Sequence, residues 1–181
     1  PVREMDGFVF PRGSLIRVDE WYTVSHDVAG NIRPNEGMRL TNLALGAGIA
    51  HRVHGRHFSG CVADPSCFAQ PGRQSIYSEM QIGAREIGHN LIFNPANNDR
   101  VAGWQKVRDM LENSGKDMPE KPGLWAFETC IHFARTVPVA QRDDTKLDDI
   151  DTDQEDHVLD DVRYACMTGG RGVVEGSFTG H

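Results

Sequence analysis

Apolar residues along the first half of the chain switch between strand-like and helix-like spacing. Gly7-Phe-Val-Phe10 and Ser14-Leu-Ile-Arg-Val-Asp-Glu-Trp-Tyr-Thr23 read as two strands, and Pro11-Arg12-Gly13 between them predicts a hairpin-like break. A polar loop carrying Gly30 and Pro34 follows. From Asn35 to about His57 the period becomes helical, with Met38, Leu40, Leu43, Leu45, Ile49 and Val53 on one broad face, weakened by Gly46 and Gly48. Gly60-Cys-Val-Ala-Asp-Pro65 predicts a short buried strand that proline ends, which places Asp64 at its carboxyl tip. A helix over Ser75 to Ile82 then precedes a strand at Asn90-Leu-Ile-Phe93.

The second half repeats the alternation. Asn98 to Leu111 has helical spacing, with Val101, Trp104, Val107 and Leu111 on one face. A loop over Gly115 to Pro122 leads to a strand at Gly123-Leu-Trp-Ala-Phe127 and a short helix around Cys130 to Arg135. After an acidic loop, Glu155 to Met167 predicts the last helix, and the Gly-rich 169–181 reads as a loosely held tail. Strands alternating with helices imply an α/β domain with partly parallel pairing over residues 1–168, opened by a hairpin.

Composition narrows this reading without redirecting it. The 181 residues, 39% hydrophobic and 25% charged, suit one globular domain with a real core. No apolar run approaches the roughly 20 residues that span a bilayer, and no signal peptide opens the chain, so a soluble cytoplasmic protein is expected. Cys61, Cys67, Cys130 and Cys166 form no Cys-x-x-Cys pair or zinc-finger spacing and read as free thiols, mostly buried. The net charge of −7 is concentrated: residues 143–161 hold ten acids and one lysine, leaving 16 acids against 18 Lys and Arg elsewhere. Such a run is either a solvated loop or the edge of a divalent-metal site.

The last helix focuses that choice. Val158, Leu159, Val162, Ala165 and Cys166 form its apolar stripe, Asp161 falls on the border, and His157, Asp160 and Tyr164 lie opposite. Two adjacent aspartates in mid-helix are unfavourable for the helix itself, so another interaction must favour them, and a bound cation is one candidate. Asp64 is a second candidate ligand, because α/β sheets place ligands at the carboxyl edge; an Asx-type turn before Pro65 is its plainer role. Carboxylates from a strand tip and a terminal helix could hold Mg2+ or Mn2+, and two such ions can cleave a phosphodiester. Asp156 and His157 could orient a ligand or water, although capping the last helix also accounts for Asp156.

Other features carry weaker signals. His51, His54 and His57 recur at steps of three, which suits metal binding less well than i, i+4 spacing. With Arg52 and Arg56 nearby, a DNA-facing basic patch is the better reading there. Arg100, Lys106 and Arg108 suit phosphate contacts or a solvated helix face equally well. Trp21, Trp104 and Trp125 sit in apolar patterns and read as core. No Gly-x4-Gly-Lys-Ser/Thr loop is present, so no P-loop ATP site is expected.

Four stretches, in order, resemble the C-terminal nuclease domain of the terminase large subunit, the DNA-packaging motor of tailed bacteriophages. They are Val18-Asp-Glu-Trp-Tyr22, Val62-Ala-Asp-Pro-Ser66, Asn98-Asp-Arg-Val-Ala-Gly-Trp-Gln-Lys-Val-Arg108 and Asp151-Thr-Asp-Gln-Glu-Asp-His-Val-Leu-Asp-Asp-Val-Arg-Tyr164. The resemblance reaches to about Met167 and implies an RNase-H-like mixed sheet flanked by helices. It implies a metal-dependent endonuclease of low sequence specificity that cuts concatemeric viral DNA in the host cytoplasm, with two Mg2+ or Mn2+ ions. The implied partners are double-stranded DNA, an upstream ATPase domain, the portal protein and the small terminase subunit. Asp64 would be the middle metal-binding acid and the Asp160-Asp161 pair the late one; motif spacing favours Asp160, whereas the helix wheel puts Asp161 nearer the sheet. The family's first acid, in an Asp-x-Gly-like context on the opening strand, has no counterpart here, since the surroundings of Asp6 do not match, and that strand is expected upstream of Pro1. The implied alternative is a non-catalytic module of the same fold that docks DNA or the portal.

Overall fold

A computed structural model describes residues 3–5, 7–56, 60–69 and 72–168; Asp6, His57 and the expected tail at 169–181 lie outside the described residues. Among the described residues, five α-helices and four small two-stranded sheets make a mixed α/β architecture, with parallel pairing in two sheets and antiparallel pairing in the others. The chain divides into two compact units, one from residues 1–37 with 98–170 and the other centred on 38–97.

In the first unit the expected opening hairpin is replaced by different partners. β1 (Arg3–Met5) pairs antiparallel with β2 (Phe8–Phe10), whereas β3 (Leu15–Arg17) pairs in parallel with β8 (Leu124–Ala126). Pro11-Arg12-Gly13 therefore joins two sheets and does not close one. Phe8 and Phe10 pack edge-on against Trp125, at 5.7 and 5.0 Å between ring centroids, which holds the hairpin on β8. The expected strand over Ser14 to Thr23 ends at Arg17. The polar stretch beyond it is a second hairpin, β4 (Val24–His26) with β5 (Ile32–Gly37), turned at Asp27 to Gly30, where the Asp27 carboxylate accepts the amides of Ala29 and Asn31.

Helix α3 (Arg100–Ser114) starts from Asp99, whose carboxylate accepts the Ala102 amide at 3.1 Å. Its buried positions are Gly103, Trp104, Val107, Met110 and Asn113, while Val101 is 56% exposed, so the buried face is rotated from the expected one. Trp104, Val107 and Met110 pack with Leu124, with Val137 beyond the short helix α4 (Ile131–Thr136), with Ile150, and with Val158, Leu159, Val162 and Cys166 of α5 (His157–Thr168). This is the main core. Tyr164, expected on the outer face of α5, is buried, and Ala165, expected inside, is exposed.

The second unit is a βαβ arrangement preceded by a helix. The expected helix from Asn35 starts later, as α1 (Asn42–Val53), because Thr41 caps it through the Ala44 amide and the preceding residues belong to β5. β6 (Val62–Ala63) and β7 (Asn94–Pro95) are parallel, joined through α2 (Ile76–Glu86); the expected strand at Asn90 to Phe93 is displaced toward the chain end. Asn42 at the start of α1 donates to Glu79 in the first turn of α2, and His54 after α1 meets His89 after α2, so the two helices run the same way. They cross in near contact: a Cβ on Gly46 would lie 2.0 Å from the Met80 carbonyl oxygen, and one on Gly83 would lie 2.0 Å from that of Leu43. The two glycines that weaken α1 and α2 as isolated helices are thus what lets their backbones touch.

Candidate functional site

Asp64 follows β6 at its carboxyl end, as expected. Its side chain accepts the Ser66 amide at 2.7 Å and its carbonyl oxygen accepts the Cys67 amide, starting a short 3-10 turn at Pro65. The Asx-type role is therefore present. Burial, with the Asp64 charge adding to it, pushes the Cys67 thiol up. In the same unit, Arg52 and Arg56 are exposed at the end of α1, and Arg52 also returns to the Gly48 carbonyl oxygen. The C-terminal ends of α1 and α2 carry partial negative charge, so His51, Arg52 and Arg85 in their last turns are favoured there whether or not DNA binds.

Helix α5 carries the aspartate pair in the first unit. Asp160 and Asp161 point to different neighbours. Asp160, 28% exposed, accepts at its Oδ1 from Arg163 Nε at 3.1 Å and Nη2 at 2.9 Å, and Arg100 Nη1 stands 3.5 Å away. Asp161, 60% exposed, pairs through Oδ2 with Arg17 of β3, in keeping with the helix wheel, which put it nearer the sheet. The cations that favour two adjacent aspartates in mid-helix are, in this structure, arginines.

Arg163 is fully buried. Its guanidinium lies over the Tyr164 ring at 4.4 Å and the Trp104 ring at 5.5 Å, and Nη2 also donates to Asn98 Oδ1 at 2.9 Å. The stem passes where a Cβ on Gly103 would stand, 2.6 Å from Arg163 Cγ. Among the described residues Nη1 finds no hydrogen-bond partner, a cost of about 1–3 kcal/mol that the stacking and the Asp160 pair offset. Arg100 meanwhile forks onto Asp149, Nε to Oδ2 at 2.9 Å and Nη2 to Oδ1 at 2.8 Å, and Trp104 Nε1 donates to the same carboxylate. Arg100 chiefly holds Asp149 below its ordinary value. Arg100 is thus engaged within the fold by both Asp149 and Asp160. Lys106 is exposed beside a second cleft, and Arg108 donates to Gln105.

Asp161 opens onto a cleft of about 480 Å³ lined by Arg17, Asp19, Glu20, Trp21, Tyr22, Glu36 and His157. Four carboxylates against one arginine make it electronegative. Below it runs a buried polar chain. Glu20 accepts Arg17 Nε at 3.2 Å and caps α4 from outside, taking the amides of His132 at 2.5 Å and Phe133 at 3.2 Å. Arg135 forks onto Glu155, both bonds at 2.5 Å, and Tyr22 donates to the same carboxylate at 2.7 Å. The Arg135 bond chiefly holds Glu155 below its ordinary value, whereas burial followed by the Glu155 bond raises the Tyr22 phenol. Burial lowers His132, which suits a neutral ring whose Nδ1 accepts from Arg135 Nε at 3.2 Å. Asp156 and His157 stand 3.6 Å apart at the head of α5.

No known protein family, curated protein or solved structure matches the chain. Oδ2 of Asp160 and Oδ1 of Asp161 accept no hydrogen bond from a described residue, and carboxylate oxygen is the donor that Mg2+ and Mn2+ prefer. Each of the two carboxylates is paired with arginine, however, and the donor set of α5 alone does not make a site for such an ion. Among the described residues no three His, Cys, Asp or Glu are gathered to hold a metal. The sequence pattern singled out Asp64, Asp160, Asp161, Asp156 and His157; it missed Arg163, Asn98, Arg17, Glu20 and Asp149. Only Arg163 carried a local signal, three residues after Asp160 among apolar neighbours.

Proposed function

We propose that the protein is a divalent-metal-dependent endodeoxyribonuclease that cuts concatemeric viral DNA during genome packaging. Asp64, Asp160 and Asp161 are the metal-binding carboxylates in this reading. What supports it most is the Asp151 to Tyr164 stretch: it resembles the late motif of the terminase nuclease domain, and each of its two aspartates has one oxygen that accepts no hydrogen bond from a described residue. An RNase-H-like arrangement belongs to the same proposal, as do an upstream ATPase domain, the portal and the small terminase subunit as partners, and the infected host's cytoplasm as the place of action. No helix among the described residues is long and apolar enough to cross a membrane.

Mg2+ or Mn2+ held there would supply an activated water and stabilise the leaving oxygen. The chain's own part is to present carboxylate oxygens on rigid elements, a helix turn for the pair and a capped strand end for Asp64. Asp156 and His157, at the head of α5, are the residues proposed to orient water. Arg52, Arg56, Arg100, Lys106 and Arg108 are the proposed phosphate contacts; they would give affinity without sequence preference, since phosphates carry no sequence information.

A second reading has its own support. Asp160 and Asp161 are already compensated by Arg163, Arg100 and Arg17, which a non-catalytic DNA- or portal-docking module would need no metal to explain. Plasmid nicking in Mn2+ separates the two, comparing the parent with Asp64→Asn, Asp160→Asn and Asp161→Asn. A nuclease loses at least 100-fold in rate in Asp64→Asn and in one or both of the helix variants, about the loss expected when a group that stabilises the transition state is removed. Equal cutting by all four proteins would refute the nuclease site and leave the docking module.

A further inference from the structure

We infer that His132 is the proton-sensitive member of a clasp that ties together the two sides of the Asp161 cleft. The clasp needs no metal at Asp160 or Asp161, so it stands apart from the nuclease reading. One side of the cleft is the stretch from Arg17 to Val24, and the other is the head of α5, with His157, Val158 and Asp161. Tyr22 reaches from the first side to Glu155, which leads into α5, and donates to it at 2.7 Å. Arg135 of α4 forks onto the same carboxylate, and its guanidinium lies 5.6 Å from the centroid of the Tyr22 ring. His132, one turn earlier on α4, closes the group. Its ring lies 4.5 Å from that of Tyr22, and its Nδ1 stands 3.2 Å from Arg135 Nε and 3.1 Å from Nη2. Every link in this clasp is a side chain, and among them histidine is the type that changes charge near neutral pH.

Nδ1 can accept from an arginine only while it carries no proton. A proton there would set a second cation about 3 Å from the guanidinium, with N–H groups facing each other. The residue is only 9% exposed, so water screens little of that repulsion. Burial is the largest influence on the ring; Glu20 and Glu155 favour its charged form, Arg135 and His26 oppose it, and the net displacement is downward. Both carboxylates are already engaged: Glu20 takes Arg17 Nε and the amides of His132 and Phe133, and Glu155 takes Arg135 and Tyr22. When the ring does take a proton, Arg135 must move off it. The fork on Glu155 goes with the guanidinium, and Tyr22 loses a fixed acceptor. Below the ordinary value of 6.5 the unfolded chain binds more protons at this position than the folded one, so the clasp weakens as pH falls from there. Glu155 does not titrate at that stage, because the Arg135 bond chiefly holds it below its ordinary 4.5.

Trp21 lines the cleft, whereas Trp104 packs in the main core and Trp125 against Phe8 and Phe10. The exposure of Trp21 is read by acrylamide quenching of fluorescence, with Trp21→Phe as the background, in the parent, His132→Asn and Glu155→Gln between pH 7.5 and 5.5. Asparagine leaves an acceptor near the Nδ1 position and takes no proton. The Trp21 quenching constant is expected to rise about twofold in the parent as pH falls and to stay level in His132→Asn. Glu155→Gln, whose fork has lost its charge, should quench at pH 7.5 as the acidified parent does. In parallel, the His132 ring is followed by nuclear magnetic resonance, assigned through its contact with the Tyr22 ring, and should titrate below 6.5. A parent that stays level, or an equal rise in the parent and His132→Asn, overturns the clasp, as does a ring that titrates at or above 6.5. Should His132→Asn fail to fold, Glu155→Gln and the ring titration decide. Parent-like quenching of Glu155→Gln at pH 7.5 overturns the clasp by itself.

Discussion

Asp149 gives the sharpest test of how the acidic stretch is tied to the fold. Its carboxylate receives the Arg100 fork at 2.8 and 2.9 Å, the Trp104 indole at 2.9 Å and the Ile150 amide at 2.8 Å. Asp149→Asn keeps one acceptor oxygen, removes the charge, and turns an amide NH2 toward Arg100, so at least one arginine bond is lost. A hydrogen bond to a charged partner is worth about 1.5–3 kcal/mol. With Asp149 17% and Arg100 29% exposed, solvent screens part of this, and a loss of about 2 kcal/mol at pH 7 is expected. In urea unfolding followed by near-ultraviolet circular dichroism of Trp104, that lowers the midpoint by about 1 M for a slope near 2 kcal/mol/M. The sign with pH follows from the direction of the shift. Asp149 is depressed in the folded state, so its contribution is complete above the ordinary carboxylate value of about 3.9 and vanishes as pH falls through the lower folded value. Parent and variant should therefore differ by a constant amount from pH 7 to about pH 5 and converge at the acid end of the range in which both stay folded. A difference below about 0.5 kcal/mol at pH 7, or one that persists unchanged into acid, would refute the reasoning.

Two further outcomes follow from packing. Gly83→Ala places a methyl group 2.0 Å from the Leu43 carbonyl oxygen, so α1 and α2 must separate; a loss of about 1–3 kcal/mol is expected by thermal melting, and an unchanged melting temperature would show that the helices do not cross in contact. Among the thiols, Cys61 and Cys67 are half-buried, Cys130 and Cys166 are buried, and burial pushes Cys166 up to about 11. A thiol-reactive disulfide reagent at pH 8 should therefore label Cys61 and Cys67 first and leave Cys166 until the protein is unfolded, whereas equal rates at all four would contradict the core around α5.

The alternation of strands and helices was legible because each element is short and its own cap is local. Ser75 and Asp99 each start a helix from the adjacent position, and their residue types announce it; Thr41 does the same for α1, whose expected start at Asn35 was too early. Strand pairing was not legible. β3 meets β8 across more than a hundred residues, and nothing local in Leu15-Ile-Arg17 distinguishes that partner from the nearer Phe8-Val-Phe10. The rotation of α3 failed for a related reason: Val101 is apolar but sits on the open side, while a glycine takes the buried position that Arg163 needs. Tyr164 misled in the same way, since the stacked Arg163 guanidinium gives its ring a buried partner that no hydrophobic period describes. Of the candidate site, the carboxylates were legible as residue types and the arginines that hold them were not, because Arg17 and Arg100 reach α5 from other elements.

That division of labour decides how the aspartates can be probed. Asp160 faces a guanidinium with no access to water, and breaking such a buried pair costs about 3–5 kcal/mol because the remaining charge stays uncompensated. Loss of cutting in an Asp160 variant therefore has two possible sources, a missing ligand or a shifted helix. Asparagine limits the second, since its amide oxygen can still accept from Arg163, but it does not restore the charge. Asp161 is a cleaner probe. At 60% exposure its pair with Arg17 is worth about 0–1 kcal/mol, so removing its charge should scarcely move the melting temperature. If Asp161→Asn melts like the parent and yet takes up less Mn2+, the cleft that it lines is drawing the cation by chemistry and not by fold. If its Mn2+ uptake is intact, the burden of metal binding on α5 falls to Asp160.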